Sequence, residues 1–113
     1  MKVIDIKEYS EYNKVLKTDD KVILDFYANW CGPCKVLTKT FEKIKEDKIF
    51  DDVTVVKINV DRFPEISKSY NVRSMPTMIF TSDLSGDRKT LKTKVGLVSK
   101  DALVVLIKDV YSV

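Results

Sequence analysis

The sequence contains no histidine and only two cysteines. Without histidine there is no imidazole to act as a general base or as a metal ligand. A closed structural zinc site is built from Cys and His side chains, and two cysteines do not complete its tetrahedral ligand set, so we expect no metal. The sequence also lacks repeats, low-complexity segments and any apolar run long enough to span a bilayer. These absences argue against metal-dependent and membrane-spanning proteins.

The composition predicts one domain that covers residues 1–113. Of the 113 residues, 44% are hydrophobic, enough for a core that needs no disulfide or metal to hold it. Charges at Lys2 and Asp5 come too early for a secretory signal, so we expect a cytoplasmic protein. The net charge is only +3, and the densest basic stretch, residues 88–94, has no nucleic-acid-binding motif. We therefore expect no binding to nucleic acid or membranes.

The two cysteines form a Cys-x-x-Cys motif, in which Gly32 and Pro33 separate Cys31 from Cys34. The apolar run at 22–28 precedes the motif and a helix-like pattern follows it, which indicates a redox dithiol at a strand-to-helix junction. At this spacing one thiolate can attack a foreign disulfide while the second thiol waits one helical turn away to resolve the adduct. The alternative is a pair of buried, inert cysteines.

The hydrophobic pattern predicts an α/β fold. We expect strands at 3–6, 22–28, 53–60, 77–80 and 90–95, and helices at 9–17, from Cys31 to about residue 48, at 64–70 and after Ser99. A polar turn at 82–87 would join the last two strands into a hairpin. This order predicts a mixed five-stranded sheet with four helices on its two faces. The alternating lysines of residues 88–94 suit an exposed sheet edge.

Asp25 and Lys57 are charged residues inside apolar strand patterns. Burial would raise the pKa of Asp25, and Lys57 would supply a compensating charge. Charged residues are rarely buried unless they are paired, so both side chains could instead point to solvent at strand ends. The residues alone leave these two interpretations open.

With these motifs the whole chain closely resembles the thioredoxin family. The residues that carry the resemblance occur in the family's order and at nearly its spacing: Asp25-Phe26, Ala28, Trp30-Cys31-Gly32-Pro33-Cys34-Lys35, Lys57, Asn59-Val60-Asp61, Met75-Pro76-Thr77 and Lys94-Val95-Gly96. The resemblance implies the thioredoxin fold and a protein that reduces protein disulfides. Its differences from the usual family pattern include Tyr27 and Lys39.

The resemblance also implies a role for each catalytic residue. Cys31 would attack the substrate disulfide and Cys34 would resolve the adduct. Asp25 would take part in proton transfer with Cys34, and Lys57 would help to orient Asp25. The dithiol is the redox group, so we expect no organic cofactor. A thioredoxin reductase would recycle the protein, which we expect to be a monomer.

The resemblance further implies a surface that receives substrates, close to the cysteines. Its expected members are Trp30, Gly32, Pro33, Val60, Met75, Pro76, Val95 and Gly96. X–Pro bonds are mostly trans, but the resemblance implies a cis bond between Met75 and Pro76. The exposed backbone at Met75 would then pair with an extended substrate strand. For Val60 and Val95, ordinary packing in the core is an equal alternative.

Two other functions compete with a disulfide reductase. One is a thiol oxidase or isomerase, but oxidising members of the family more often carry histidine in the motif, and this sequence has none. The other is a binding subunit that uses the same surface to hold another protein without chemistry. The presence of Asp25, Lys57 and Pro76 favours catalysis over a binding role.

Overall fold

The computed structural model describes residues 1–84 and 86–113. Nine regular elements follow one another in the order β1 Lys2–Asp5, α1 Tyr9–Thr18, β2 Lys21–Tyr27, α2 Gly32–Ile44, β3 Val53–Asn59, α3 Pro64–Ser69, β4 Thr77–Leu84, β5 Asp87–Val95 and α4 Lys100–Tyr111. A short 3-10 helix, Lys48–Phe50, lies between α2 and β3. The predicted α/β order of strands and helices is therefore confirmed.

The strands form a mixed five-stranded sheet in the order β1-β3-β2-β4-β5. The first three strands of this order run parallel to each other, whereas β4 is antiparallel to both β2 and β5. The central strand β2 is buried along its length because it pairs on both sides and is covered on both faces. At its carboxyl end the chain leads directly into the Cys-x-x-Cys motif.

The sheet separates two hydrophobic cores. On one face, α2 and α4 pack against alternate residues of β2, β3 and β4, which include Ile23, Val55 and Met78. On the other face, α1 and α3 pack against the remaining residues, which include Leu24 and Phe26. Because side chains alternate along a strand, Asp25 lies on the face that α2 and α4 cover.

Side-chain hydrogen bonds hold both ends of helix α4 in place. Ser99 caps its first turn by accepting a hydrogen bond from the Ala102 N–H at 3.1 Å, as expected for a serine at that position. At the other end the buried Tyr111 hydroxyl donates to the carbonyl of Thr81 at 2.8 Å and lies 3.2 Å from that of Val22. The last helix is thus tied directly to β2 and β4.

Two predicted boundaries are wrong. Helix α2 ends at Ile44 and not near residue 48, because Asp47 starts a separate 3-10 helix by accepting the N–H of Ile49. The predicted polar turn at 82–87 is largely strand, since β4 continues to Leu84 and β5 begins at Asp87. The polar residues were interpreted as a turn, but they belong to strands, because β5 is an edge strand whose residues are mostly exposed. Ser85, also part of that predicted turn, lies outside the described residues.

Candidate active site

Cys31 and Cys34 lie at the start of α2 and form a disulfide, with their Cα atoms 5.3 Å apart. Cys31 is the N-cap residue, and Pro33 occupies the first turn, where its missing N–H breaks no helical hydrogen bond. Both cysteines are buried, Cys31 at 5% and Cys34 at 3% exposure. The spacing of the motif therefore places two sulfur atoms within bonding distance at a helix N-terminus.

The sulfur of Cys31 takes the place of an ordinary capping oxygen. The backbone N–H of Cys34 donates to Cys31 Sγ at 3.2 Å. Ser or Asp side chains usually accept this bond at a helix N-terminus, where unpaired N–H groups and the helix dipole favour a negative charge. A backbone N–H of the first helical turn is therefore directed at the sulfur of Cys31.

Asp25 is an almost completely buried carboxyl group, with 1% of its surface exposed. Neither of its oxygens has a hydrogen-bond partner among the described residues. Burial raises its pKa to about 7, while the charge of Lys57 lowers the pKa and that of Asp5 raises it. Of the two interpretations left open by the sequence, the buried Asp25 is therefore correct and the solvent-facing one is wrong. The group can exchange a proton near neutral pH.

Lys57 is the register partner of Asp25 on the neighbouring strand β3. It is only partly buried, and its ammonium lies over the ring of Tyr27, 4.6 Å from the ring centroid. The hydroxyl of Tyr27 donates in turn to Asp5 Oδ1 at 2.8 Å. Lys57 thus lies beside Asp25 in the sheet, and a cation–π contact with the Tyr27 ring stabilises the Lys57 ammonium.

The loop before β4 brings Met75 and Pro76 to the cysteines. The peptide bond between them is cis, as the family resemblance implies. The carbonyl oxygen of Met75 lies 3.7 Å from Cys31 Sγ. Met75 and Val60 are partly buried and pack against the pair of cysteines, so Val60 adjoins the site as well as the edge of the core.

Trp30, Val95 and Gly96 present exposed surface or backbone on other sides of the site. Trp30 is 70% exposed and Val95 is 57% exposed, so Val95 is not a core residue. Gly96 has a φ of 92°, a value that side-chain-bearing residues rarely adopt, and its N–H donates to the Pro76 carbonyl at 2.8 Å. Gly32 is also exposed, and no atom would meet a Cβ there.

A depression of about 360 Å³ opens beside Cys34 between α2 and the ends of β2 and β3. Its lining consists of Tyr27, Ala28, Asn29, Cys34, Lys35, Thr38, Lys39 and Lys57. Within residues 1–84 and 86–113, no group of three or more His, Cys, Asp or Glu side chains is arranged to hold a metal ion. In the same part of the chain, no helix has the length and apolar character needed to cross a membrane.

Sequence reasoning did not identify two acidic residues near the site. Asp61 accepts the indole N–H of Trp30 at 3.1 Å, and Asp5 accepts the hydroxyl of Tyr27. Asp61 is itself one of the residues that carry the family resemblance, which was a signal for a place at the site. Asp5 had no such signal, because an acid at the end of a short first strand usually faces solvent.

Comparisons with known proteins agree with this geometry. The family model described as Thioredoxin matches residues 3–109. A thioredoxin from Mycoplasmoides gallisepticum is 44% identical over 103 residues, covering 91% of this chain and 97% of the relative. One from Rickettsia bellii is 39% identical, covering 92% of this chain and 94% of the relative.

Among solved structures, a mutant thioredoxin from Halobacterium salinarum superimposes with a TM-score of 0.80 at 34% identity, covering 96% of this chain and 89% of the other. The thioredoxin of Trichomonas vaginalis gives 0.77 at 28% identity, covering 97% and 96%. These likenesses cover more than nine tenths of this chain. The chain therefore belongs to the thioredoxin family and is a thiol–disulfide oxidoreductase.

Proposed function

We propose that this protein reduces disulfide bonds in other proteins, with Cys31 as the nucleophile and Cys34 as the resolving thiol. The observation that carries the proposal is the Cys34 N–H directed at Cys31 Sγ at the N-terminus of α2. This donor and the helix dipole favour the thiolate of Cys31 in the reduced protein. Cys34, in the first turn of the helix, is then the thiol that remains protonated.

The reaction proceeds by two exchanges of sulfur. The Cys31 thiolate attacks one sulfur of the substrate disulfide, so that a mixed disulfide forms and the other substrate sulfur leaves as a thiolate. Cys34 loses its proton and attacks Cys31 Sγ, which forms the Cys31–Cys34 disulfide and releases the second substrate thiolate. The substrate gains two electrons and the protein loses two.

Asp25 accepts the proton of Cys34 in the second exchange. Its pKa of about 7 suits a group that takes up and returns a proton near neutral pH. Lys57, its neighbour in the sheet, lines the same depression as Cys34 and moderates the cost of the buried carboxylate. These roles extend the family assignment to particular side chains of this chain.

The substrate binds across the surface around the cysteines. Trp30 and Val95 offer exposed apolar area, and Gly32 allows a partner's backbone to come close. The backbone of Met75, beside Cys31, pairs with an extended segment of the substrate. Val60, Pro33, Pro76 and Gly96 complete this surface.

A thioredoxin reductase returns the disulfide to the dithiol in the proposed cycle, and no organic cofactor is needed, because the two sulfurs carry the electrons. We propose that the protein works as a monomeric single domain in the cytoplasm. The family assignment supports the exchange chemistry, and the identity of the reductase follows from a reduction assay with candidate enzymes and NADPH.

The experiment that tests the mechanism compares Cys34→Ser with Cys31→Ser. Cys34→Ser should accumulate covalent adducts with disulfide-containing proteins that dithiothreitol releases, whereas Cys31→Ser should form none, and neither should turn over. Non-reducing gels and mass spectrometry detect the adducts. Equal trapping by both variants would contradict the two-step mechanism, and binding of a partner by both without an adduct would indicate a binding subunit.

A further inference from the structure

Three charged side chains form a row across the sheet beside the cysteines. Asp5 on β1 and Asp25 on β2 are both register partners of Lys57 on β3, the strand between them. Register partners on neighbouring strands project from the same face of a sheet. Lys57 therefore has one carboxyl group on each side, of which Asp25 is buried and Asp5 is partly exposed.

Tyr27 connects the outer carboxylate with the lysine. Its hydroxyl donates to Asp5 Oδ1 at 2.8 Å, and its ring lies 4.6 Å from the Lys57 ammonium. Burial and the hydrogen bond to Asp5 raise the pKa of Tyr27 to about 12, so the hydroxyl stays a donor at physiological pH. None of the ion pairs among the described residues includes Lys57.

We propose that Asp5 is a positioning residue for the resolving step. Together with Tyr27 it holds the Lys57 ammonium over the aromatic ring. The ammonium is then shared between the carboxyl groups of Asp5 and Asp25 and does not form an ion pair with Asp25 alone. This inference rests on the proposed function, because it assigns a determinant of the proton transfer by Asp25.

Among the described groups that surround Asp25, Asp5 is the one that carries a negative charge. From α2 come Cys34 and, on the rim of the depression, Lys35 and Lys39. From β4 comes the apolar Met78, the antiparallel register partner of Asp25. Helix α4 packs on the same face with the buried residues Leu103, Ile107 and Tyr111. The charge of Asp5 raises the pKa of Asp25, opposing the effect of Lys57.

Removal of the Asp5 charge should therefore change the proton affinity of Asp25. In Asp5→Asn the amide oxygen still accepts the Tyr27 hydroxyl, so the ring keeps its place. The ammonium loses one of its two carboxylates and moves toward the other, and a like charge disappears at the same time. Both changes favour the ionised form of Asp25.

The experiment is a titration of the Asp25 carboxyl carbon by NMR in the oxidised protein, repeated in Asp5→Asn. The midpoint should fall by about 0.5–1 pH unit, the size of one unit charge at this range in a partly buried site. The pH profile of the resolving step, measured by stopped flow in the reduced protein, should move in the same direction. The ammonium of Lys7 lies 3.7 Å from Asp5 Oδ2. Tyr27→Phe, which releases Asp5 toward solvent and toward Lys7, should therefore give a smaller shift of the same sign.

Two controls separate positioning from a general charge effect. Asp87→Asn removes an exposed acid at the far end of β5, where it pairs with Lys89, and should leave the midpoint in place. In a Lys57→Gln background, Asp5→Asn should shift the midpoint by less than half as much as in the natural sequence, because there is no ammonium to move. A full shift in that background would overturn the positioning role.

An unchanged or raised midpoint in Asp5→Asn would also overturn the inference. Measurement of a separate variant, Asp25→Asn, distinguishes failure of the inference about Asp5 from failure of the proposed function. If Asp25→Asn slows the resolving step while Asp5→Asn leaves the midpoint unchanged, only the inference about Asp5 falls. If Asp25→Asn leaves the resolving step as fast as before, the proton-transfer role and the inference fall together.

Discussion

Trp30 donates its indole N–H to Asp61 Oδ2 at 3.1 Å while 70% of the residue remains exposed to solvent. An exposed tryptophan ordinarily samples several rotamers. Here the hydrogen bond to Asp61 favours one orientation of the ring next to Cys31. The proposed substrate surface thus has a large apolar side chain that is already oriented before a partner arrives, which lowers the entropic cost of binding.

Replacement of Trp30 by alanine should weaken reduction of protein disulfides more than reduction of a small disulfide. We expect kcat/KM for a protein substrate to fall by about tenfold, equivalent to about 1.4 kcal/mol of lost contact, because tryptophan often dominates such surfaces. The rate with a small aromatic disulfide should change by less than about twofold. Val105→Ala, which truncates an exposed apolar residue on α4, is the control. Equal losses with both substrates would place Trp30 in the chemistry and not in recognition.

Asp25→Asn should stabilise the oxidised protein, and more so at high pH. The pKa of Asp25 is about 7 in the folded protein against 3.8 for the ordinary group, so folding binds a proton between these values. Below pH 3.8 Asp25 is protonated in both states, and its ionisation does not affect the free energy of unfolding. As the pH rises through this window, the buried group lowers the free energy of unfolding by an amount that reaches roughly 4 kcal/mol at pH 8. Denaturant unfolding at several pH values should show the gain from Asp25→Asn rising over the same window.

The exposed Asp109 on α4 provides the control for this measurement. Asp109→Asn should change the free energy of unfolding by less than about 0.5 kcal/mol at every pH. A gain from Asp25→Asn that is constant with pH would contradict the assigned proton affinity, since only an ionising group gives a slope.

In the reduced protein, iodoacetamide should modify Cys31 before Cys34 at pH 7. The proposed mechanism puts the thiolate on Cys31, at the helix N-terminus, and the thiolate is the form of cysteine that reacts with iodoacetamide. Peptide mass mapping after short exposure measures the order. The single-thiol variants Cys31→Ser and Cys34→Ser give the rate of each sulfur by itself. Faster modification of Cys34 would reverse the proposed roles.

Tyr111→Phe should destabilise the fold without altering the chemistry. The buried hydroxyl donates to the Thr81 carbonyl and lies close to that of Val22, and its loss should cost about 1–2 kcal/mol in urea unfolding. Tyr9→Phe removes an exposed hydroxyl that bonds Glu65 and should cost less than about 0.5 kcal/mol. A comparable loss in both variants would mean that the buried bonds of Tyr111 add no more to stability than the exposed bond of Tyr9.

The sequence predicted the elements of the fold better than their ends. A buried strand such as β2 is an apolar run that only Asp25 interrupts between Val22 and Phe26, and an amphipathic helix such as α2 shows its period through Leu37 and Phe41, so both are visible in the sequence. The end of α2 depended on a local competitor, the Asp47 side chain that starts a 3-10 helix. The length of β4 and β5 depended on pairing between their mostly polar adjoining ends, Ser82–Leu84 with Asp87–Lys89, which leaves no hydrophobic pattern.

The site was predictable where chemistry requires a fixed spacing and less so where it depends on tertiary contacts. Cys31 and Cys34 are evident from their motif. The burial of Asp25 could not be decided from its strand alone, because burial depends on which helix covers that face. The contact between Asp5 and Tyr27 joins residues 22 positions apart through register across three strands, and no local pattern encodes it.

The hydrogen bond from Gly96 to the Pro76 carbonyl has a consequence for the choice of substrate. It joins the end of β5 to the loop that carries Met75, so two segments of the proposed binding surface form one unit with little freedom left to lose. A partner meets a backbone that is already arranged, and most of the ordering on binding has to occur in the partner. We therefore expect disulfides in loosely folded or extended segments to react faster than disulfides enclosed in rigid domains.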